Sequence, residues 1–303
     1  MIFVGMQERT SGLIRGIQVA SKMPNSQFID SRNTSKLHAL KNETVIFIRS
    51  VDPGLANFLK SRGCTIGYDL LDRPVADHHA KTRTGDHSPI SWGTYNLDYI
   101  DFYIVNNDLY RSHLASATSK PIYIVPHHNV NAGLIRNDPN RLKTVGYIGL
   151  SDQISGLDKI KATCENNGLN FFSSHPNTQQ ECISDIGKID VGIIFIDSDG
   201  YRDSVLKYKP NTKLTNFQSF GIPTIGAQYQ SFLEFGGEEG KSWLKASSID
   251  EVIEKLDFLI KNKDSRIQMS DAAYENGKKF WLNIIINKYY SKLPGFSNDA
   301  IGL

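Results

Sequence analysis

The chain has 303 residues, enough for two domains of ordinary size, each with its own core. Its 34 lysines and arginines face 32 aspartates and glutamates, a formal net charge of +2, which excludes a protein that lives on nucleic acid by overall electrostatics and makes any basic surface local. No apolar run approaches the roughly 20 residues that span a bilayer, and Met1–Gly5 is too short for a signal-peptide core; a soluble cytoplasmic protein is expected, with peripheral contact at the inner face of a membrane left open.

In chain order, Ile2-Phe-Val4 reads as a strand, followed by a Gly/polar loop and a helix through Leu13, Ile14, Ile17 and Ala20. Further strands are expected at 27–29, 45–48, 65–68, 102–105 and 122–125, with helices at 55–61 and 109–117. Strand and helix alternating in this way predict a parallel sheet covered on both faces, a Rossmann-like domain over 1–130. The loop Gly5-Met-Gln-Glu-Arg-Thr-Ser-Gly12 lacks the G-x-G-x-x-G spacing that seats a dinucleotide pyrophosphate, so a nicotinamide or flavin cofactor is disfavoured and none is expected. Residues 72–92 carry little periodicity but hold Asp72, His78, His79 and His87, a loop long enough to be functional.

The polar stretch 131–142 reads as a linker, and a second Rossmann-like domain is expected over 143–278. Its strands are placed at 145–148, 169–172, 191–196 and 243–244, with helices near Ile160 and over 249–260. A helix over 267–290 closes that domain, and 279–303 runs back toward the first and ends in a weakly ordered tail. The cysteines Cys64, Cys164 and Cys182 are widely spaced and without ligand pairing, which fits buried thiols of a reducing compartment.

The most informative stretch is Lys207-Tyr-Lys-Pro-Asn-Thr-Lys-Leu-Thr-Asn-Phe-Gln-Ser-Phe-Gly-Ile-Pro-Thr-Ile-Gly226. Pro210 suits a first helical turn, Leu214, Phe217 and Phe220 share one face, and Gly221 with Pro223 stops the helix before a strand. Lys207, Lys209 and Lys213 crowd the positive end of the helix dipole, a conflict that an anion resolves; three solvated surface lysines are the plainer reading.

Lys209-Pro-Asn-Thr-Lys213 and Phe220-Gly-Ile-Pro-Thr-Ile225, following Asp190-Val-Gly-Ile-Ile-Phe-Ile196, resemble the donor-binding domain of GT-B glycosyltransferases. Arg9-Thr-Ser-Gly-Leu-Ile-Arg-Gly16, Tyr68-Asp-Leu-Leu-Asp72, Ile100-Asp-Phe-Tyr-Ile-Val105, Val125-Pro-His-His-Asn-Val-Asn131 and Val145-Gly-Tyr-Ile-Gly149 echo the family in its usual order. The resemblance implies an α/β protein of two Rossmann-like domains facing a cleft. It also implies a nucleotide-sugar donor on the second half and a glycan or lipid-linked acceptor on the first. Lys209 and Lys213 then meet the diphosphate without a metal, and Thr212, Asn216, Glu234 and Gly12 join the candidate donor contacts.

Many retaining members carry two glutamates eight positions apart, where this chain has Tyr208 and Asn216, so retention or inversion stays open. Asn216 could still bond a ribose hydroxyl, and Glu234 could supply the acidic contact. For an inverting reaction the candidate bases are Glu8, Asp72, His78, His79 and His87, with His127 and His128 as cleft-lining residues. Asp197 and Asp199 read as loop-capping residues. A zinc site at His78-His79 with Asp77 and Asp86 has no matching ligand spacing. Two other functions remain on this fold: a sugar-nucleotide epimerase or hydrolase, and a catalytically silent binding module.

Overall fold

Short runs rich in Val, Ile and Phe become parallel strands because their side chains are buried on both faces of a covered sheet. The computed structural model describes residues 1–72, 98–131, 133, 135–150, 154–196 and 208–296. Two compact units divide the chain, one of Met1–His127, Asp203–Pro210 and Leu282–Leu303, the other of His128–Arg202 and Asn211–Trp281.

The first unit contains β1 (Ile2–Gly5), the helix α1 (residues 10–20), β2 (Gln27–Asp30), α2 (Thr34–His38), β3 (Thr44–Ile48), α3 (Pro53–Ser61) and β4 (Thr65–Asp69). It continues with β5 (Phe102–Val105), α4 (Asp108–Ala115) and β6 (Ile122–Ile124). The sheet order is β2-β1-β3-β4-β5-β6, with every pairing parallel. Asp52 accepts from the Leu55 amide at 2.7 Å and Pro53 opens the helix, which together define the start of α3. The helix α2 falls outside the expected elements because Leu37 is its only buried residue, leaving no apolar period to detect; its visible signal is the Asn33 cap.

The helix expected from Leu13 begins earlier and is not uniform. It runs as Thr10–Gly12, a π stretch Leu13–Ile17, and Gln18–Ala20. A Cβ on Gly12 would lie 2.1 Å from the Met6 carbonyl oxygen, and one on Gly16 would lie 2.5 Å from the Phe28 ring, so both glycines permit close packing of this turn. The wider π turn leaves Arg15 on the buried side, at 1 % exposure.

The second unit contains β7 (Thr144–Ile148), α5 (Leu157–Asn166), β8 (Asn170–Ser174), α6 (Gln179–Ile186), β9 (Val191–Ile194), α7 (Thr212–Ser219) and β10 (Thr224–Ala227). Next come α8 (Gln230–Phe235), β11 (Leu244–Ala246), α9 (Ile249–Lys261) and α10 (Lys263–Lys278). Its parallel sheet has the order β11-β10-β9-β7-β8. The helix α6 carries a capping box in which Thr178 accepts from the Glu181 amide and Glu181 reaches back to the Thr178 amide.

Leu214, Phe217 and Phe220 are buried, as their spacing predicts. The stop of α7 is a Schellman motif: the Gly221 amide bonds the Gln218 carbonyl, the Ile222 amide bonds the Phe217 carbonyl, and Gly221 has φ +70°. Pro210, expected inside the first turn, stands two residues ahead of the helix, and Asn211 takes the cap position. The polar stretch after His128 is stitched to this unit by asparagines: Asn129, Asn131 and Asn137 donate side-chain bonds to the carbonyls of Gly277, Ser219 and Ile189 at 2.6–2.7 Å.

The single helix expected over 267–290 is instead two. α10 ends at Lys278, α11 spans Leu282–Lys288, and a 3-10 turn follows at Tyr290–Lys292. At the break the Phe280 carbonyl accepts from the Asn129 amide. Among the described residues no helix is long and apolar enough to cross a membrane.

Candidate functional site

In the second sheet β7 has β8 on one side and β9 on the other, so the connections leaving these strands diverge. Open parallel sheets bind ligands in the crevice beyond the carboxyl ends at such a switch point. Gly149 is the first residue after β7 and has φ +146°, a conformation that L side chains rarely adopt. A Cβ there would lie 2.6 Å from Lys213 Nζ and 2.8 Å from the Tyr147 hydroxyl. Bare backbone is therefore needed for the lysine to reach the strand end.

Lys213 is the second residue of α7. Its ammonium donates to the Tyr147 hydroxyl at 2.6 Å and lies 4.2 Å from the centre of that ring. Tyr147 is wholly buried and so is a fixed post that orients the half-buried lysine's ammonium. The neighbouring Thr212 hydroxyl is buried and makes no hydrogen bond. Fixed cation, helix start and small residue converge on one point of the second unit, which is the chemistry of an anion site.

The first unit places a different cation at the carboxyl edge of its sheet. Arg15 Nε donates to Asp69, the last residue of β4, at 2.7 Å, and Nη1 donates to the carbonyls of Val125 and Pro126 at 3.0 and 3.3 Å. Burial alone would lower the Arg15 pKa, but the Asp69 charge and hydrogen bond outweigh it and hold the group more firmly protonated than usual. Arg15 Nη2 and the Tyr290 hydroxyl, both buried, make no hydrogen bonds. Burial pushes the Tyr290 phenol well above its ordinary pKa.

The remaining candidates are scattered over both units. Glu8 is exposed and paired with Arg32 at 2.8 Å. Asp72, half-buried, lies 3.4 Å from Lys209 Nζ, and both belong to the first unit. Gly12 lies in α1 against the Met6 carbonyl. His127, buried, ends a segment of the first unit, and His128, also buried, opens the second. Asn216 is 8 % exposed and its side-chain oxygen accepts from the Val130 amide at 3.0 Å. Glu234, in α8, accepts from Gln230 at 2.9 Å. His78, His79 and His87, with Asp77, Asp86, Asp197, Asp199 and Lys207, lie outside the described residues.

Cys64 and Cys164 are buried, Cys182 is half-buried, and all three are free thiols. Burial pushes the Cys164 and Cys182 thiols up to about 11, which removes them as nucleophiles at neutral pH. Among the described residues no three His, Cys, Asp or Glu side chains gather as a metal would require.

Tyr147, Arg15 and Asp69 were not singled out from sequence. The signal for Tyr147 was the glycine two residues on, directly after the first strand of the second domain. Arg15 lies within the Arg9–Gly16 run but carries no signal of its own, since an arginine in an amphipathic helix reads as solvated.

Two parallel sheets, each with a switch point, give the GT-B fold of the nucleotide-sugar glycosyltransferases. Solved structures agree on this architecture. The Anabaena protein HepE, crystallised with UDP and glucose, matches with TM-score 0.67 over 96 % of this chain and 99 % of its own at 10 % identity. Sucrose-phosphate synthase of Thermosynechococcus elongatus matches with TM-score 0.64 over 94 % and 96 % at 9 % identity. A glycosyltransferase of Rickettsia africae matches with TM-score 0.58 over 95 % and 96 % at 12 % identity. Neither a family profile nor a curated protein sequence matches this chain. Identities this low establish the fold alone.

Proposed function

We propose that the chain is a glycosyltransferase that moves a sugar from a nucleoside-diphosphate donor to a glycan or lipid-linked acceptor, in the cytoplasm. The observation that carries this reading is Lys213, held by Tyr147 beside Gly149 at the switch point of the second sheet. As the glycosidic bond breaks, the leaving diphosphate gains negative charge. A cation and helix amides already in place stabilise that charge without reorganising. Lys209, four residues before Lys213, is the second cation of the reading. Because these groups fill the part a divalent ion plays elsewhere, transfer should survive a chelator; its loss in EDTA would remove the metal-independent form of the proposal.

HepE is crystallised with UDP, so UDP is the natural probe. Calorimetric titration should show binding by the wild-type chain and weaker binding by Lys213→Ala, and unchanged affinity would sink the reading. Among Glu8, Asp72, His78, His79 and His87, one substitution should abolish transfer while sparing UDP affinity if a side-chain base is used.

A second reading, a binding module without turnover, is favoured by one observation. Neither position of the family's acidic pair is acidic here: Tyr208 is packed in the first unit and Asn216 already bonds backbone. Release of sugar product from a panel of nucleotide sugars removes it, and the identity of the product separates transfer from epimerisation or hydrolysis.

A further inference from the structure

Asn216 lies in α7, within the second unit, and its side-chain amide is committed at one end. The oxygen accepts from the Val130 amide at 3.0 Å, and the Val130 carbonyl accepts in turn from Gln179 Nε2 at 3.2 Å. A backbone N–H only donates, so the oxygen of Asn216 must face it and the nitrogen is turned the other way. The side chain is buried, which leaves it little freedom to exchange the two. The nitrogen makes no hydrogen bond among the described residues, so what Asn216 offers an incoming ligand is a pair of N–H donors.

Asn216 follows Lys213 by three residues and Thr212 by four. Residues at these spacings are neighbours on one helix face, about 5–6 Å apart at Cβ, and helical side chains lean toward the amino end. The amide therefore stands over the turn that carries the Lys213 ammonium and the buried, unbonded Thr212 hydroxyl. In a nucleoside diphosphate the ribose hydroxyls follow the phosphates at about the same spacing. A nucleotide whose diphosphate meets Lys213 brings the edge of its ribose to Asn216.

A donor amide reads that edge differently from a carboxylate. A carboxylate accepts from both neighbouring hydroxyls of a ribose and loses one of two charge-assisted bonds when the 2′ hydroxyl is missing. An N–H needs only one hydroxyl oxygen to accept from it, and 2′-deoxyribose keeps the 3′ oxygen. We propose that Asn216 makes this a nucleotide site that does not discriminate at the 2′ position, so that 2′-deoxynucleoside diphosphate sugars serve as donors alongside ribonucleotide sugars. The inference rests on the glycosyl-transfer reading above and names the donor class of that site.

Calorimetric titration with UDP and with 2′-deoxy-UDP tests it, because the ratio of two affinities on one chain does not depend on how much of the chain is folded. The wild-type protein should bind the two within about threefold, the scale of at most one neutral hydrogen bond. Asn216→Asp is isosteric: one carboxylate oxygen keeps the Val130 bond, and the other replaces a donor by a charged acceptor. Its preference for UDP should rise to about tenfold or more. Asn216→Ala should weaken both nucleotides alike. A larger wild-type preference for UDP overturns the proposal. So does an Asn216→Asp variant with the wild-type ratio, which would leave Asn216 as the partner of Val130 and nothing more. In either case UDP binding that Lys213→Ala weakens leaves the glycosyl-transfer reading standing. A wild-type chain that binds neither nucleotide overturns the proposal and that reading together.

Discussion

Arg15 and Lys213 are both cations at the carboxyl edge of a parallel sheet, one in each unit, and they differ in burial. Arg15 is 1 % exposed and committed to Asp69 and two backbone carbonyls, so its charge is used inside the protein. Lys213 is half-buried, and its tyrosine post orients the ammonium. The same edge of the same kind of sheet can therefore serve as a structural joint or as a ligand site, and burial decides between them. In the joint a buried carboxylate meets the cation; at the half-buried lysine a tyrosine hydroxyl orients it.

The sharpest way to break this comparison is at the joint. Arg15→Ala leaves Asp69 buried without its partner, and removing one member of a buried pair costs about 3–5 kcal/mol. Urea unfolding should show that loss. A change below about 1 kcal/mol would mean that water reaches Asp69 and that the two cations are not so different. Lys213→Ala should behave in the opposite sense: UDP affinity falls by about 1–3 kcal/mol, the scale of a charged hydrogen bond, while unfolding is barely altered. Should stability fall by as much as affinity, Lys213 would be a second joint.

Gly149→Ala sharpens the same contrast from the backbone side. With φ +146° the new methyl is strained, at a cost of about 1–3 kcal/mol, and it displaces the lysine it would meet at 2.6 Å. The expected result is a loss of UDP affinity no larger than that of Lys213→Ala, and no additional loss when the two are combined. Additive losses would place Gly149 against the nucleotide independently of Lys213.

How much of this was legible in the sequence follows from what each feature depends on. Strands such as Val45–Ile48 and Val191–Ile194 are continuous apolar runs, and the stop of α7 is fixed by Gly221, so periodicity and a single glycine sufficed. The Lys213 end of the site was visible because lysines at a helix start contradict the dipole. Its Tyr147 post was not, because it comes from a strand 66 residues away in sequence. The Arg15–Asp69 joint depends on a π turn that brings an apparently exposed position inside, and no local pattern announces a π turn. Tyr208 marks the limit of resemblance: the missing glutamate was evident, but that its replacement packs in the first unit is a tertiary fact. The break between α10 and α11 is similar, since the Asn129 amide that takes the Phe280 carbonyl lies about 150 residues earlier in the chain.

The smallest expected effect concerns Tyr290, whose ring lies 5.8 Å from the Arg15 guanidinium carbon. Burial raises its phenol pKa above the unfolded value of about 10, so the folded state keeps its proton to higher pH than the unfolded chain does. Below about pH 10 both states are protonated and the group contributes no pH dependence. Above that pH the unfolded state ionises first and is favoured, so stability falls as pH rises toward the folded pKa. Tyr290→Phe removes this part of the alkaline slope. At pH 7 it should change stability by less than about 1 kcal/mol, because the hydroxyl has no hydrogen bond to lose. A wild-type alkaline profile that the variant reproduces would show that the phenol is not buried as described, and would weaken the case that the Arg15 joint is closed to solvent.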